Sequence, residues 1–169
     1  MFYTGVGSRE TPRDVAAVMY KFAQKMALHG AVLRSGGADG ADTAFEWGCD
    51  KMQGMKEIYL PWQGFNGRSS QFIKPSEEAM HLASEIHPAW DRLSSGTRKL
   101  HARNMHQVLG MNLETPSAFL VCWTAGGKPI GGTRSAIVLA HQVGIPVFNL
   151  FNHNLDAIES WLKTNRYFV

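Results

Sequence analysis

The sequence predicts one α/β domain, a doubly wound parallel sheet of about five strands with helices on both faces. Short apolar runs alternate along the chain with longer segments whose apolar residues recur at helical spacing. Strands that are separated by helices form parallel sheets, because each helix returns the chain to the same edge of the sheet. A length of 169 residues without a linker or an internal repeat predicts a single domain over residues 1–169.

The first half of the chain contains three predicted strands and two predicted helices. Thr11 and Pro12 are expected to begin the first helix, because threonine caps helices and proline fits the first helical position. Gly30 ends that helix, and Pro61 stops the third strand. The predicted elements are strands at 2–6, 31–33 and 56–60 and helices at 12–30 and 40–52.

The second half begins with a predicted loop at residues 62–74, where glycine and serine recur between the apolar runs. Glu77 and Glu78 then stand in the first turn of a helix, where the helix dipole favours acidic side chains. The most hydrophobic strand, at 118–123, is expected to be central and covered on both faces. The other elements are helices at 75–86, from after 97 to 109, at 131–143 and at 155–163, and a strand at 145–150.

The composition is typical of a folded domain in water. Hydrophobic residues make up 44% and charged residues 18%, which argues against disorder. No apolar run approaches the roughly 18 residues of a membrane span, and the amino terminus lacks a signal-peptide pattern. We therefore expect a cytoplasmic protein with no membrane partner. The net charge of +3 slightly favours anionic partners, either nucleotides or nucleic acid.

The cysteine and histidine patterns predict neither a metal site nor a bound cofactor. Cys49 and Cys122 lie in apolar segments without CxxC spacing, which is typical of reduced thiols in a core. His101 and His106 are five residues apart on a predicted helix and have no carboxylate beside them. The structural alternative for the basic residues of that helix is a solvated face. The GxSxG and HExxH patterns of hydrolases are absent.

Glycine-bearing segments follow three of the predicted strands. In a parallel sheet the carboxyl ends of the strands meet at one edge, and ligands bind where the strand order reverses. We therefore expect these segments to converge on one crevice. Their candidate binding residues are Gly7, Ser8 and Arg9 in the first segment, Ser35, Gly36, Gly37, Asp39, Gly40 and Asp42 in the second, and Gly131, Gly132, Thr133 and Arg134 in the third.

The first two segments each leave a binding and a structural interpretation open. Ser8 and Arg9 offer a hydroxyl and a cation to a phosphate, but a tight turn with an exposed arginine fits equally well. The GxGxxG dinucleotide pattern is not met, because Glu10 occupies the third glycine position. Asp39 and Asp42 would accept hydrogen bonds from ribose hydroxyls, whereas a structural role would use one of them as a helix cap.

The third segment has the best chemistry for a phosphate. Gly131 and Gly132 offer main-chain N–H groups at the start of a helix, and hydroxyl groups of Thr133 and Ser135 flank the cation of Arg134. The Walker A pattern GxxxxGK[ST] is absent. We predict a phosphate-binding turn here, against the alternative of a plain turn.

Four stretches resemble one protein superfamily in their order and spacing. They read TGVGSRETP, LRSGGADGAD, LHARNMHQVLG and GGTRSAIVLAHQVGIPVF, and the similarity extends over residues 2 to 150. The chain resembles the SLOG superfamily, which joins the Smf/DprA DNA-processing proteins to the LOG phosphoribohydrolases. The resemblance implies a Rossmann-like fold that acts as a stand-alone domain and pairs with further copies as a homo-oligomer.

The resemblance also implies roles for individual residues. Arg103 matches the arginine that LOG enzymes use in catalysis and that Smf proteins place in a basic pocket, and Asn104 follows it as in Smf proteins. LOG enzymes carry a glutamate where this chain has Ala136, so that hydrolysis would need Asp39 or Asp42 as a replacement. By the same resemblance, the nucleotide is bound by Gly7, Ser8, Arg9, Gly36, Gly37, Gly40, Asp42, Gly131, Gly132 and Thr133.

Three functions follow from these patterns. The first is binding of a nucleotide or a nucleotide-derived small molecule in the crevice. The second is single-stranded DNA binding in DNA processing or recombination, in the manner of Smf/DprA proteins. The third is a nucleoside 5′-monophosphate N-glycosidase, a LOG-like phosphoribohydrolase, with Arg103 and Asp42 as catalytic residues.

Overall fold

The computed structural model of the protein describes residues 1–167 and contains one sheet of five parallel strands. The strands lie in the order β3-β2-β1-β4-β5, so that β1 is central. Tyr3 of β1 is in register with Leu33 of β2, and Leu120 of β4 with Val147 of β5. The strands are β1 (Phe2–Gly5), β2 (Val32–Ser35), β3 (Lys56–Ile58), β4 (Leu120–Cys122) and β5 (Val147–Asn149).

Six helices connect and follow these strands, and the predicted doubly wound α/β fold class is confirmed. They are α1 (Arg13–Leu28), α2 (Ala41–Lys51), α3 (Glu77–Ile86), α4 (Ser95–Leu109), α5 (Arg134–Gln142) and α6 (Leu155–Thr164). The expected threonine cap of α1 is wrong, because Pro12 is the capping residue and the Thr11 hydroxyl donates to the Ser8 carbonyl at 2.7 Å.

The helices divide into two layers, one on each face of the sheet. On one face α1, α2 and α6 pack around the aromatic rings of Tyr3, Phe22 and Phe119. On the other face α3, α4 and α5 pack against Val6, Leu120 and Cys122. Strand β4 is buried along its whole length, as its hydrophobicity predicts, because helices cover it from both sides.

Both cysteines are buried, one on each face of the sheet, and they are free thiols without a disulfide, as predicted. Burial raises the pKa of the Cys49 thiol to about 11 and that of the Cys122 thiol to about 12. The thiols are therefore protonated and unreactive at neutral pH. None of the helices within residues 1–167 has the length and apolar character that a membrane span requires.

The segment between β3 and α3 is a loop, as predicted, and it is hydrogen-bonded to the loop that follows β2. Tyr59 and Phe72 form an isolated parallel bridge, and a short 3₁₀ turn occupies Phe65–Gly67. The side-chain amide of Asn66 donates to the Gly37 carbonyl at 3.1 Å. These contacts place the turn beside the loop that follows β2.

The order of the strands fixes where a ligand can bind. From β1 the chain proceeds outward through β2 to β3, and it then returns to the other side of β1 as β4 and β5. The loops that leave β1 and β4 therefore diverge to opposite faces of the sheet and open a crevice between them. In sheets of this kind ligands bind at such a reversal, outside the carboxyl ends of the strands.

Candidate functional site

A crevice of about 650 Å³ lies above the carboxyl ends of β1, β2 and β4. Residues from all three predicted glycine-bearing segments line it, together with the inner side of α4 and the turn at Phe65. The volume lies within the usual range for small-molecule sites. The lining residues are 6–10, Ala38, Asp39, Asp42, Phe65, Asn66, Leu100, Arg103, Asn104, Gln107, Thr124, Ala125, 130–133 and Ala136.

The turn after β1 reaches the crevice because glycine allows it to pack closely against α2. A Cβ at Gly7 would lie 2.7 Å from the Cβ of Ala41, which is too close for any side chain. Ser8 and Arg9 then line the crevice. The Ser8 hydroxyl already accepts the backbone N–H of Glu10 at 3.0 Å, so that it holds the turn as well as facing the crevice.

The loop after β2 uses its glycines mainly for packing. Ser35, Gly36 and Gly37 are buried beneath the crevice surface, and the Ser35 hydroxyl donates to the Gly5 carbonyl at 2.7 Å. Gly40 has a φ of +77°, and a Cβ there would lie 2.6 Å from the Arg9 carbonyl oxygen. Four of the residues predicted to bind a ligand in this segment therefore support the site from below or behind: Ser35, Gly36, Gly37 and Gly40.

The two acids of this segment have different surroundings. Asp39 is exposed at the rim of the crevice, whereas Asp42 is only 3% exposed. Neither side chain caps α2, whose capping position is Gly40. The Asp42 carboxylate instead accepts the N–H of Ala38 at 3.4 Å. This segment therefore contributes one solvated and one buried carboxyl group to the crevice.

Burial dominates the electrostatics of Asp42. It raises the pKa of this carboxyl from its ordinary value of 3.8 to about 6, although the positive charge of Arg103 opposes the rise. Hydrogen bonds from the main chain near Ala38 oppose it further. At neutral pH the group is mostly ionised, and it takes up a proton in mildly acidic solution.

The inner side of α4 contributes a row of polar residues to the crevice, and Arg103 belongs to that row and not to a solvated face. This side chain is 7% exposed, because α4 lies against the sheet and the loop after β2. Its guanidinium donates to the carbonyl of Gly36 and, at 3.3 Å, to that of Tyr59. Burial lowers the Arg103 pKa, while the acidic groups of Asp42 and Glu46 oppose that change.

Asn104 connects this arginine to the start of α5. Its side-chain oxygen accepts the Nε–H of Arg103 at 3.1 Å, and its side-chain nitrogen donates to the Gly132 carbonyl at 2.6 Å. These two bonds also assign the orientation of the Asn104 amide. Two of the predicted binding segments are thus held together by adjacent residues of one helix.

Gln107 also lines the crevice, although no sequence motif predicts it as a site residue. Its side chain is 1% exposed, and neither its nitrogen nor its oxygen has a hydrogen-bond partner. It is four residues after Arg103, which puts both side chains on one side of the helix. That spacing is the signal that was available once Arg103 had been selected.

A short 3₁₀ turn, Gly131–Thr133, precedes α5 at the opposite wall of the crevice. A Cβ added at Gly132 would meet no atom within 4 Å, so that the space beside it is open. Thr133 is buried and lines the crevice. Arg134 does not line it, because its guanidinium turns towards α3 and donates to the Ile86 carbonyl at 3.1 Å.

The histidines of α4 hold helices together. The Nδ1 atom of His101 lies 2.7 Å from the Ser135 hydroxyl of α5, and burial lowers the pKa of His101 to about 4. His106 accepts the N–H of Ser76 at 3.1 Å with Nε2, so that its Nδ1–H donates to the Gly110 carbonyl. Within residues 1–167, no group of three or more histidine, cysteine or acidic residues could hold a metal ion.

Comparison with known proteins shows the fold and nothing finer. No family model and no curated protein sequence matches the chain. A solved structure of the Moco carrier protein of Chlamydomonas rheinhardtii is similar, with 16% identity, a TM-score of 0.52, and coverage of 98% of this chain and 83% of that one. A second solved structure is that of DNA processing protein A from Helicobacter pylori, which was reported for its single-stranded DNA binding mode. It has 13% identity, a TM-score of 0.43, and coverage of 97% of this chain and 81% of that one.

Proposed function

We propose that the protein binds a nucleotide or a nucleotide-derived small molecule in the crevice. One observation carries the proposal: a helix start with unobstructed main-chain N–H groups faces a buried arginine and a row of amide side chains across about 650 Å³. A phosphate would bind at Gly131–Thr133. The ribose would face Ser8 and Asp39 at the opposite rim.

The phosphate end rests on the geometry of the turn before α5. The N–H groups of Gly131 and Gly132 lie in the first turn, where the helix has no earlier carbonyl to accept them, and the nine-residue helix behind them adds a favourable dipole. Thr133 adds a hydroxyl. Asn104 binds the Gly132 carbonyl and so fixes the orientation of the turn before any ligand arrives.

The acidic residues at the rim favour a small ligand over a long polyanion. Glu10 and Asp39 are exposed beside the crevice together with one cation, Arg9, and the two carboxylates would repel the successive phosphates of single-stranded DNA. The same carboxylates accept hydrogen bonds from ribose hydroxyls. A nucleotide presents one phosphate end and one sugar, which suits one anion-binding turn and one acidic rim.

Isothermal titration tests this proposal with nucleoside monophosphates and diphosphates, ADP-ribose and Moco as ligands. Moco is included because the carrier protein named above shares the fold. We expect binding of at least one phosphate-bearing ligand and about tenfold weaker binding by Gly132→Ala, whose methyl group would occupy the open space at the turn. No binding across the panel would refute the proposal.

Gly96→Ala is the matched control for that variant. Gly96 lies in the first turn of α4, and a Cβ there would only touch the Trp62 ring at 3.7 Å. The same glycine-to-alanine change is thus made in a place with room and outside the lining of the crevice. Its affinity for the ligand should equal that of the wild type.

A second candidate is hydrolysis of the N-glycosidic bond of a nucleoside monophosphate. It is favoured by the buried Asp42 carboxyl, whose pKa of about 6 suits proton transfer, beside the charge of Arg103. Against it, Ala136 lines the crevice where LOG enzymes carry glutamate. Chromatography after incubation with nucleotides decides: free base that disappears in Asp42→Asn supports hydrolysis, and no free base at high enzyme concentration excludes it.

Single-stranded DNA binding is measured in the same series by fluorescence anisotropy with a labelled oligonucleotide. Affinity that falls steeply as salt rises would favour DNA over a small molecule, since phosphate contacts release counterions.

Homo-oligomerisation stays a prediction, and light scattering of the purified chain checks it.

A further inference from the structure

A buried amide without partners lies at the inner end of the crevice. The side chain of Gln107 is 1% exposed, and both its Nε2 and its Oε1 lack a hydrogen-bond partner. Buried polar side chains nearly always have partners, because water is lost on burial and must be replaced. An amide that is orphaned on both atoms and lines a cavity indicates that something else supplies the partners.

No group of the described residues satisfies the Gln107 amide. Its neighbour Arg103 has donors and no acceptor, and its donors are directed to the carbonyl groups of Gly36 and Tyr59. Gly36 has no side chain, and a Cβ there would overlap both the Gln107 amide and the Arg103 guanidinium. Gly36 therefore makes room for these two side chains, and the partners of the Gln107 amide have to come from the crevice that Gln107 lines.

We propose that the Gln107 amide binds the polar edge of the ligand's heterocyclic ring, so that the ligand must carry a nucleobase or a similar ring. This inference rests on the proposed function and specifies the ligand class. A carboxamide presents a donor and an acceptor side by side, which matches rings with an adjacent N–H and carbonyl or ring nitrogen. A sugar phosphate without a base has no such edge.

The spacing along α4 agrees with a ligand that spans base and phosphate. Asn104 binds Gly132 at the phosphate end, and Gln107 lies three residues further along the helix, a rise of roughly 4.5 Å. The Phe65 ring lines the crevice between the two walls, 5.7 Å from the Arg103 guanidinium. An aromatic ring in that position adds a surface on which a flat base can stack.

Binding of a nucleoside monophosphate is compared with binding of ribose 5-phosphate in the wild type and in Gln107→Met. Methionine keeps the length and the unbranched shape of glutamine and removes both polar atoms. We expect the wild type to prefer the nucleotide at least tenfold. The Gln107→Met variant should lose most of that preference and keep its affinity for ribose 5-phosphate. Gln142→Met, an exposed change at the end of α5, is the matched control and should leave both affinities unchanged.

The outcomes separate this inference from the proposed function. If the wild type binds neither compound nor any other ligand of the panel, both fall. If it binds both compounds equally, or if Gln107→Met retains the preference for the nucleotide, only the inference falls.

A second measurement needs no ligand. Without ligand, Gln107→Met should melt at the same temperature as the wild type or higher, because it removes two orphaned polar atoms from the interior. A lower melting temperature would mean that an internal water satisfies the amide, which would remove the basis of the proposal.

Discussion

Two crossovers of this protein have similar glycine-rich sequences and opposite structural roles. In the packed crossover, residues 35–42 between β2 and α2, Gly36 and Gly37 are buried against α4 and the loop after β3. In the open crossover, residues 124–133 between β4 and α5, Gly131 and Gly132 are exposed and have free space beside them. A glycine pair after a strand therefore does not by itself indicate where a ligand approaches.

The difference follows from what each crossover lies against. The packed crossover is enclosed by the buried arginine of α4 and by the turn at Phe65–Gly67, so that its glycines make room for protein atoms. The open crossover is hydrogen-bonded to α4 through the side-chain amide of Asn104, its first half packs against Asn149 and Asn152, and Gly131 and Gly132 face the crevice. Substitutions should consequently affect folding at the first crossover and ligand binding at the second.

The largest effect is expected for Gly36→Ala. A Cβ there would overlap the Arg103 guanidinium and the Gln107 amide, and displacing Arg103 would break its hydrogen bonds to the Gly36 and Tyr59 carbonyls. We expect a loss of about 3 kcal/mol in the free energy of unfolding, measured by urea titration. A loss below about 0.5 kcal/mol would show that the packed crossover is looser than its contacts indicate.

Asp42→Asn tests the cost of the carboxyl group that the packed crossover buries. The folded state holds the Asp42 proton more tightly than the unfolded chain does, with a pKa of about 6 against 3.8. Wild-type stability should therefore fall as the pH rises from about 4 to about 6 and stay lower above that range. We expect Asp42→Asn to raise the free energy of unfolding at pH 7 by about 2 kcal/mol and to flatten this part of the pH profile.

Thermal and urea unfolding between pH 4 and pH 8 measure both quantities. Asp39→Asn is the matched control, because the Asp39 side chain is exposed at the rim of the same crevice. Equal profiles for Asp42→Asn and the wild type would contradict the burial of a charged group at this position.

Asn104→Ala breaks the connection between the two crossovers. It removes the hydrogen bond to the Gly132 carbonyl and the acceptor for the Nε–H of Arg103. We expect a loss of about 1–2 kcal/mol in the free energy of unfolding. Hydrogen exchange should become faster in residues 124–133 and stay unchanged on the other face, in α1 and α6. Uniform acceleration would indicate general destabilisation instead.

The smallest effect on stability is expected for Gly132→Ala in the open crossover. Since a Cβ there meets no atom within 4 Å, the free energy of unfolding should change by less than about 0.5 kcal/mol. The comparison with Gly36→Ala is made in the same urea titration. A loss as large as that of Gly36→Ala would mean that the two crossovers do not differ as described.

The order of strands and helices could be predicted because it depends on local patterns. The five strands are short apolar runs, and each helix carries apolar residues at a period that the sequence displays. Errors fell at element ends: the strand predicted at 31–33 is Val32–Ser35, and Pro12 rather than Thr11 occupies the cap of α1. Ends depend on contacts such as that between the Thr11 hydroxyl and Ser8, which local patterns do not display.

The candidate site could be predicted in outline, since loops after parallel strands meet at one edge of the sheet. The direction of individual side chains could not be predicted. Arg134 was predicted to bind a phosphate, and yet its guanidinium turns towards Ile86. Arg103 lies on a helix whose basic residues also fitted a solvated face, and it is buried. Gln107 has no distinguishing sequence motif beyond its spacing of four residues from Arg103, and its burial beside Gly36 is visible only in the fold.

The sequence by itself determined that this chain forms a doubly wound sheet and that its glycine-bearing loops follow the strands. Both properties depend on the spacing of apolar residues and glycines over short stretches of the chain. The tertiary structure decided which glycine pair is filled and which stays open, and which polar side chains lose water. Those outcomes depend on which side chains of a neighbouring helix or loop lie within a few ångströms of each glycine, and these neighbours are distant in the chain. Arg103 contacts Gly36, and Asn104 contacts Gly132.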